Sequence, residues 1–335
     1  MNVTIAPTRP STGTVNPDVL SFFMVFNLLV CGVVLGLFGI CGNIANIRVF
    51  VKQGFHDSVN ITLAALAVGD IGALVTLQAT NIMTNPWFLG ADLPFSPLDV
   101  VRLISFYPHS YFIRVCGFVT AFAAFERCLC VVAPLRVKGI ITVRVAVVVN
   151  VLIFTITLFN VFPPYYFAYF DWTFSPRANR SILAVAFRQD ADVAFSMSYF
   201  ITDLAVPYIT FVALISCTLV IIIKVKAKAA WRKSVSSSRL SSGGKVSNKE
   251  TRLVQMLTAV SLIFIVCLIP QSSILTAVAI NQDLSASGEH FDIALLCYCI
   301  AFLMETVNSS VNIIVYYKMS SRYRETFINL LKGSI

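Results

Sequence analysis

Glu126-Arg127-Cys128 closes an apolar run, residues 111–125, that carries one other charge, Arg114, and it opens onto a basic loop. Charges at a membrane edge are costly, and where they occur they work. Whether this edge is a membrane edge is decided by the rest of the chain. Of 335 residues, 57% are hydrophobic and 12% charged, and mean hydropathy is +0.81. Soluble domains carry about 25% charged residues. A helical bundle in a bilayer follows, since helices satisfy their own backbone groups in lipid. A soluble protein with an outsized core is the discarded alternative.

Outward from Arg127, seven apolar segments can cross a hydrocarbon core of about 30 Å, which takes about 20 helical residues. They are 22–50, 59–84, 101–131, 142–162, 198–223, 252–280 and 291–317. Ahead of them, tail 1–21 is polar and holds Pro7, Pro10 and Pro17. It lacks the basic start and cleavage site of a signal peptide, so the first span is expected to target the chain and remain. In the closing segment 318–335, Tyr323, Phe327, Leu330 and Leu331 recur at helical spacing among Arg322, Arg324 and Glu325. That is the pattern of a short amphipathic helix on the inner surface.

With the N-terminus outside, 19 of the 25 Lys and Arg residues lie on the cytoplasmic side, as loop-charge bias requires. The net charge of +9 is therefore a topology signal and not a nucleic-acid patch. This orientation places two glycosylation sequons, at Asn2 and Asn179, outside. Similar matches at Asn60 and Asn308 fall in or beside the membrane and are expected to be inert. The cytoplasmic loop 224–251 is rich in Lys, Ser and Gly and reads as flexible. The stretch 165–187 is aromatic and β-branched on both sides of Ser175-Pro176, which suits an outer β-hairpin, with an irregular loop as the alternative. All nine cysteines fall in apolar runs or at their ends, so no extracellular disulfide is expected.

Each span carries marked residues: Gly42-Asn43 in the first, Leu66-Ala67-Val68-Gly69-Asp70 in the second, Glu126-Arg127 in the third and Pro207 in the fifth. Phe264, Cys267 and Pro270 follow in the sixth, and Asn312-Ile313-Ile314-Val315-Tyr316 in the seventh. Six such marks in order, from about residue 22 to 331, resemble the rhodopsin-like (class A) G-protein-coupled receptors. Within that family, segments 51–62 and 134–142 are similar in wording to molluscan chemosensory-type and neuropeptide-type receptors.

The resemblance implies an all-α, plasma-membrane, multi-pass protein: a seven-transmembrane helix bundle with its N-terminus outside and a short cytoplasmic helix. It implies an extracellular ligand (a small molecule or peptide), a heterotrimeric G protein as partner, and receptor kinase and arrestin acting at the serines of 224–251. It implies that Arg127 pairs with Glu126 and with Glu250, twenty residues before Pro270. That pairing would hold the cytoplasmic cleft closed until ligand shifts the population; a merely solvated Glu250 is the alternative. Pro207 and Pro270 remove backbone bonds and kink their helices, as pivots or as static bends. Tyr316 is either the family's mobile tyrosine or an interface aromatic.

Asn43, Asp70, Asn308 and Asn312 are polar groups that need partners in an apolar interior, and one shared cluster with Cys116 satisfies them. The family adds an allosteric sodium ion at Asp70; a purely structural cluster is the alternative. No other cofactor is implied.

His109 lies eighteen residues before Arg127, about five turns, on the same face, with Ile113 and Cys116 near it. In the family this depth holds the ligand, and Leu268 stands at the pocket's usual tryptophan. A buried Arg114 needs a partner; Asp203 is the first candidate and Glu305 the second. These charges either read a polar or zwitterionic ligand or only fix the packing.

The chain departs from the family at several places. Arg102 replaces the cysteine of the usual outer disulfide, and a salt bridge to Asp171, Asp190 or Asp192 is the expected substitute. Ile215 replaces a tyrosine and Ile313 a proline. A transporter would show broken paired spans in a repeat, which the sequence lacks. A seven-span ligand-gated channel would place the N-terminus inside, against the loop charges. No metal cluster, nucleophile–base pair or phosphate-binding glycine loop suggests an enzyme.

Overall fold

The computed structural model describes residues 14–176, 179–189, 191–236, 244–285 and 288–333. Seven helices are long and apolar enough to cross a membrane. They are α1 (Pro17–Gln53), α2 (Ser58–Met83), α3 (Pro97–Val132), α4 (Val143–Phe167), α5 (Ala191–Ala227), α6 (Gly244–Ile280) and α7 (Phe291–Met319). A short α8 (Ser321–Lys332) follows.

Local chemistry sets the ends. Asn16, Asp57, Thr142 and Ser320 each cap a helix by accepting a backbone N–H. Gly54, at φ +83, stops α1 in a conformation other residues resist. α1 and α5 begin earlier than apolar periodicity predicts, at Pro17 and Ala191 instead of near 22 and 198. Their first turns carry Asp18 and Asp192, which suit a helix N-terminus while breaking an apolar run.

α3 is the central helix and packs on α2, α4, α5 and α6. Small residues allow the closest approach: a Cβ at Gly72 would come within 2.4 Å of the Phe112 ring. The core runs through Val115, Val119, Leu214, Phe264 and Tyr316.

Three spans contain a widened π-turn, Val25–Gly32 in α1, Arg102–Phe106 in α3 and Phe200–Ala205 in α5, and the last two end two residues before a proline, Pro108 and Pro207. Proline has no N–H for the carbonyl four residues back, and its ring crowds that carbonyl. A π-turn changes the register and relieves both. Pro270 instead lies within α6.

At the end opposite the basic loops, β1 (Ala168–Ser175) pairs antiparallel with β2 (Arg180–Phe187), in register Ala168↔Phe187 to Ser175↔Arg180. The hairpin is stitched to the α2–α3 connection by main chain. Ser96 N–H donates to Leu183 O at 2.8 Å and Leu183 N–H to Pro94 O at 2.9 Å. An exposed Arg180–Asp92 pair at 2.6 Å lies beside them. The expected substitute for a disulfide is corrected here: Arg102 forms no ion pair among the described residues, and Asp190 lies outside them. Backbone pairing performs the tethering, which no side-chain pattern announces.

Candidate functional site

At the basic-loop end, Arg127 Nη2 donates to Glu126 Oε1 at 2.9 Å, and the Ser58 hydroxyl donates to the same oxygen. Both residues are buried, Glu126 at 2% and Arg127 at 7% exposure. Adjacent opposite charges cancel locally, which makes burial tolerable. Arg127 Nε has no partner among the described residues. The Glu250 side chain lies outside the described part of the structure, as do Asn2 and Ser237 to Ser242. Asn179 is exposed in the hairpin turn, with φ 48.

The single polar cluster expected at mid-bundle is two. In one, Asp70 Oδ2 accepts from Asn312 Nδ2 at 2.8 Å and Oδ1 from the Cys116 thiol at 3.5 Å. The other links α1 to α7 and α8. Asn43 Nδ2 donates to Ser309 O at 2.7 Å, Asn46 Nδ2 to Asn43 Oδ1 at 3.0 Å, and the Tyr323 hydroxyl to Asn46 Oδ1 at 2.5 Å. Asn43 therefore turns toward α7 backbone and not to Asp70. Asn308 is buried without a hydrogen bond to Asp70. Tyr316 is no interface aromatic: it is 1% exposed, 5.6 Å from the Phe50 ring and 5.6 Å from Tyr323.

A hard cation wants several oxygen ligands. Both Asp70 carboxylate oxygens meet hydrogen-bond donors, one an amide N–H and one a thiol, and the Ser309 hydroxyl also stands beside the carboxylate.

Toward the hairpin end lies a cavity of about 60 Å³. At about 10–15 Å³ each, that is room for about four to six waters. His109, Ile113, Arg114, Asp203, Leu268 and Glu305 all line it. Arg114 Nη2 meets Asp203 Oδ1 at 2.5 Å, and Arg114 Nε donates to Thr202 O at 2.8 Å. The π-turn explains the second bond. Val206 N–H already serves Ile201 O, and the next position in that register is Pro207, so Thr202 O is left without a backbone donor. A buried carbonyl without a donor recruits one, and the guanidinium supplies it.

Glu305, the second candidate for Arg114, belongs to His109 instead: Nε2 to Oε2 is 2.9 Å, and His109 Nδ1 lies 3.0 Å from Ala73 O. Gln271 also lines the cavity, and its Oε1 has no partner among the described residues. Sequence reasoning passed over it, although an amide directly after Pro270 in an apolar span was a readable signal.

The model of the 7 transmembrane receptor (rhodopsin family) matches residues 42–316. The chain belongs to the rhodopsin family of seven-transmembrane receptors. No match to a curated protein was found. As a family member this receptor is a class A, multi-pass plasma-membrane protein that signals through G proteins, and it is not an enzyme. The match runs from α1 to Tyr316 and takes in Asp70, Arg127, the π-turns of α3 and α5 and the whole cavity.

Proposed function

We infer that this receptor binds a small polar molecule from outside in the α3–α5–α6–α7 cavity and activates its G protein by releasing Arg127. The observation that carries this reading is the convergence of two ion pairs, the part-buried Arg114–Asp203 and the buried His109–Glu305, on one cavity. Packing alone gives no reason to hold four ionisable groups at that depth. Filling the cavity favours a bundle in which Arg127 leaves its Glu126 and Glu250 partners and meets the G protein, a population shift through differential binding.

Within this reading the receptor is of chemosensory type. A cavity with room for about four to six waters suits a small stimulus better than a folded peptide. The neuropeptide alternative draws on the hairpin, where Trp172 and Phe174 are exposed and offer contact surface to a longer ligand.

The test is ligand screening in cells that co-express a promiscuous G protein, with Arg127→Ala as the silent control. Responses to small polar molecules, lost in Arg114→Gln at equal surface expression, are expected. Responses confined to peptides, or indifferent to Arg114, overturn the reading. Transcripts in sensory epithelium, and not in central neurons, are the expected tissue pattern.

A further inference from the structure

The two ion pairs of the cavity leave opposite ends open. Asp203 Oδ1 takes Arg114 Nη2, while Oδ2 lies 3.0 Å from the Thr202 hydroxyl, whose single proton is nearer Ser198 O at 2.6 Å. Arg114 has a donor to spare: with Nε on Thr202 O and Nη2 on Asp203, Nη1 has no partner among the described residues. The α3–α5 pair therefore offers the cavity a donor with positive charge.

The α3–α7 pair is the reverse. His109 has both ring nitrogens engaged, Nδ1 at Ala73 O and Nε2 at Glu305 Oε2. Ala73 O can only accept, so Nδ1 carries a hydrogen. A second proton must lie between Nε2 and Oε2, since two lone pairs cannot face each other at 2.9 Å. Whichever atom holds it, the pair is neutral overall. Glu305 Oε1 has no partner among the described residues and is an acceptor. Gln271 Oε1, buried and unpartnered, is a second.

Charge narrows the class further. The cavity lining contains no charged side chain besides these two pairs, so its sum is zero. A ligand with net charge would bring an uncompensated ion into a medium of low dielectric. A ligand with one positive and one negative group meets an open partner at each end and adds no net charge. Between the ends, Ile113, Phe211, Phe264, Leu268 and Leu275 make an apolar floor for a short carbon skeleton.

We propose that the ligand is a small amino acid, its carboxylate on Arg114 Nη1 and its ammonium shared by Glu305 Oε1 and Gln271 Oε1. This rests on the receptor reading above and names the chemistry of the same cavity.

The test uses full-length receptor in membranes, with G-protein activation and thermal stabilisation as readouts. The probes are free amino acids with one to five carbons between the two groups. Each is matched with its decarboxylated amine, its N-acetylated acid and its methyl ester. At least one zwitterion is expected to activate and stabilise the wild type, with each one-ended derivative weaker by at least about tenfold, which is about 1.4 kcal/mol. Gln271→Leu and Glu305→Gln are expected to lower zwitterion potency by about tenfold or more and to leave an N-acetylated acid unchanged.

Equal or better action by a one-ended derivative overturns the zwitterion and leaves the receptor reading standing. Zwitterion potency untouched by Gln271→Leu and Glu305→Gln at equal surface expression overturns the site. Silence of the whole panel overturns the ligand class. The receptor reading then stands or falls on the broader screen with its Arg127→Ala control. The derivatives act on unmodified protein, so a folding defect in a variant cannot mimic support.

Discussion

Arg114 on α3 holds the Thr202 carbonyl on α5 at 2.8 Å, a carbonyl that Pro207 leaves without a backbone donor. The guanidinium therefore does two jobs, closing a gap in a helix and neutralising Asp203. Removing one partner of a buried pair strands the other and costs about 3–5 kcal/mol. Arg114→Gln and Asp203→Asn are each expected to lower the melting temperature of purified receptor, at the low end of that range because Asp203 is partly exposed. The double variant is expected to lose at least about 1 kcal/mol less than the sum, since no charge is left unpaired. Additive losses in thermal unfolding would show that the two residues act separately.

Arg127 has an Nε without a partner among the described residues, and Glu250 lies on α6, twenty residues before Pro270. A lock worth about 1 kcal/mol multiplies the active population about fivefold when removed. Glu250→Ala is expected to raise ligand-independent signalling by about that factor. Equal basal signalling at equal surface expression dismisses the lock.

How far these residues could be read without coordinates depends on the physics behind each. The seven spans were legible because apolar composition and length suffice to define them. The hairpin was legible because β-branched and aromatic residues flank a turn. Arg114 and Asp203 were paired by counting depth from Arg127 and Pro207, which works for long side chains on neighbouring helices. Counting depth could not give Glu305 to His109, because that choice turns on helix rotation, and a small error in it exchanges neighbours. Asn43 misled for the same reason. The π-turns were out of reach: a proline announces a disturbed helix and not whether the chain bends or widens.

Main-chain bonds tether the hairpin where the family usually has a disulfide, and none of the nine cysteines is in a disulfide. Reducing agent outside the cell is therefore expected to leave ligand response and receptor melting unchanged. Leu183→Pro deletes the N–H that reaches Pro94 O and breaks the strand pairing locally. It is expected to cut surface expression and weaken ligand response, whereas Leu183→Val keeps both. A response sensitive to reductant would point to a covalent tether instead.

Both Asp70 carboxylate oxygens are taken by donors, an amide N–H and a thiol, with the Ser309 hydroxyl beside them. Exchanging sodium for choline at constant ionic strength is expected to leave the melting temperature and agonist potency of the wild type unchanged. Cys116→Ser restores a hydroxyl beside the carboxylate and is the variant in which sodium sensitivity should emerge. A wild-type shift with sodium, absent in Asp70→Asn, would establish the ion site that these donors disfavour.

Tyr323 joins α8 to the bundle through one hydrogen bond and two ring contacts. Its hydroxyl donates to Asn46 Oδ1, and its ring lies 5.8 Å from Phe50 and 5.6 Å from Tyr316. Burial raises the phenol's pKa well above its ordinary value, so the group stays a neutral donor throughout the physiological range. Tyr323→Phe keeps the ring packing and removes only the donor. Asn46 Oδ1 then loses its only partner from α8, at a cost of about 1–2 kcal/mol. Tyr323→Ala also removes the aromatic contacts and is expected to cost about 3–5 kcal/mol. The hydrogen bond and the packing thus have separate signatures in thermal melting. Because Tyr316 packs against the same ring, both variants are also expected to raise basal signalling, with Ala above Phe. If Tyr323→Ala melts α8 off the bundle, seen as faster amide exchange across 321–332, while basal signalling stays at the wild-type level, then Tyr316 is held by Phe50 alone and α8 has no part in the switch.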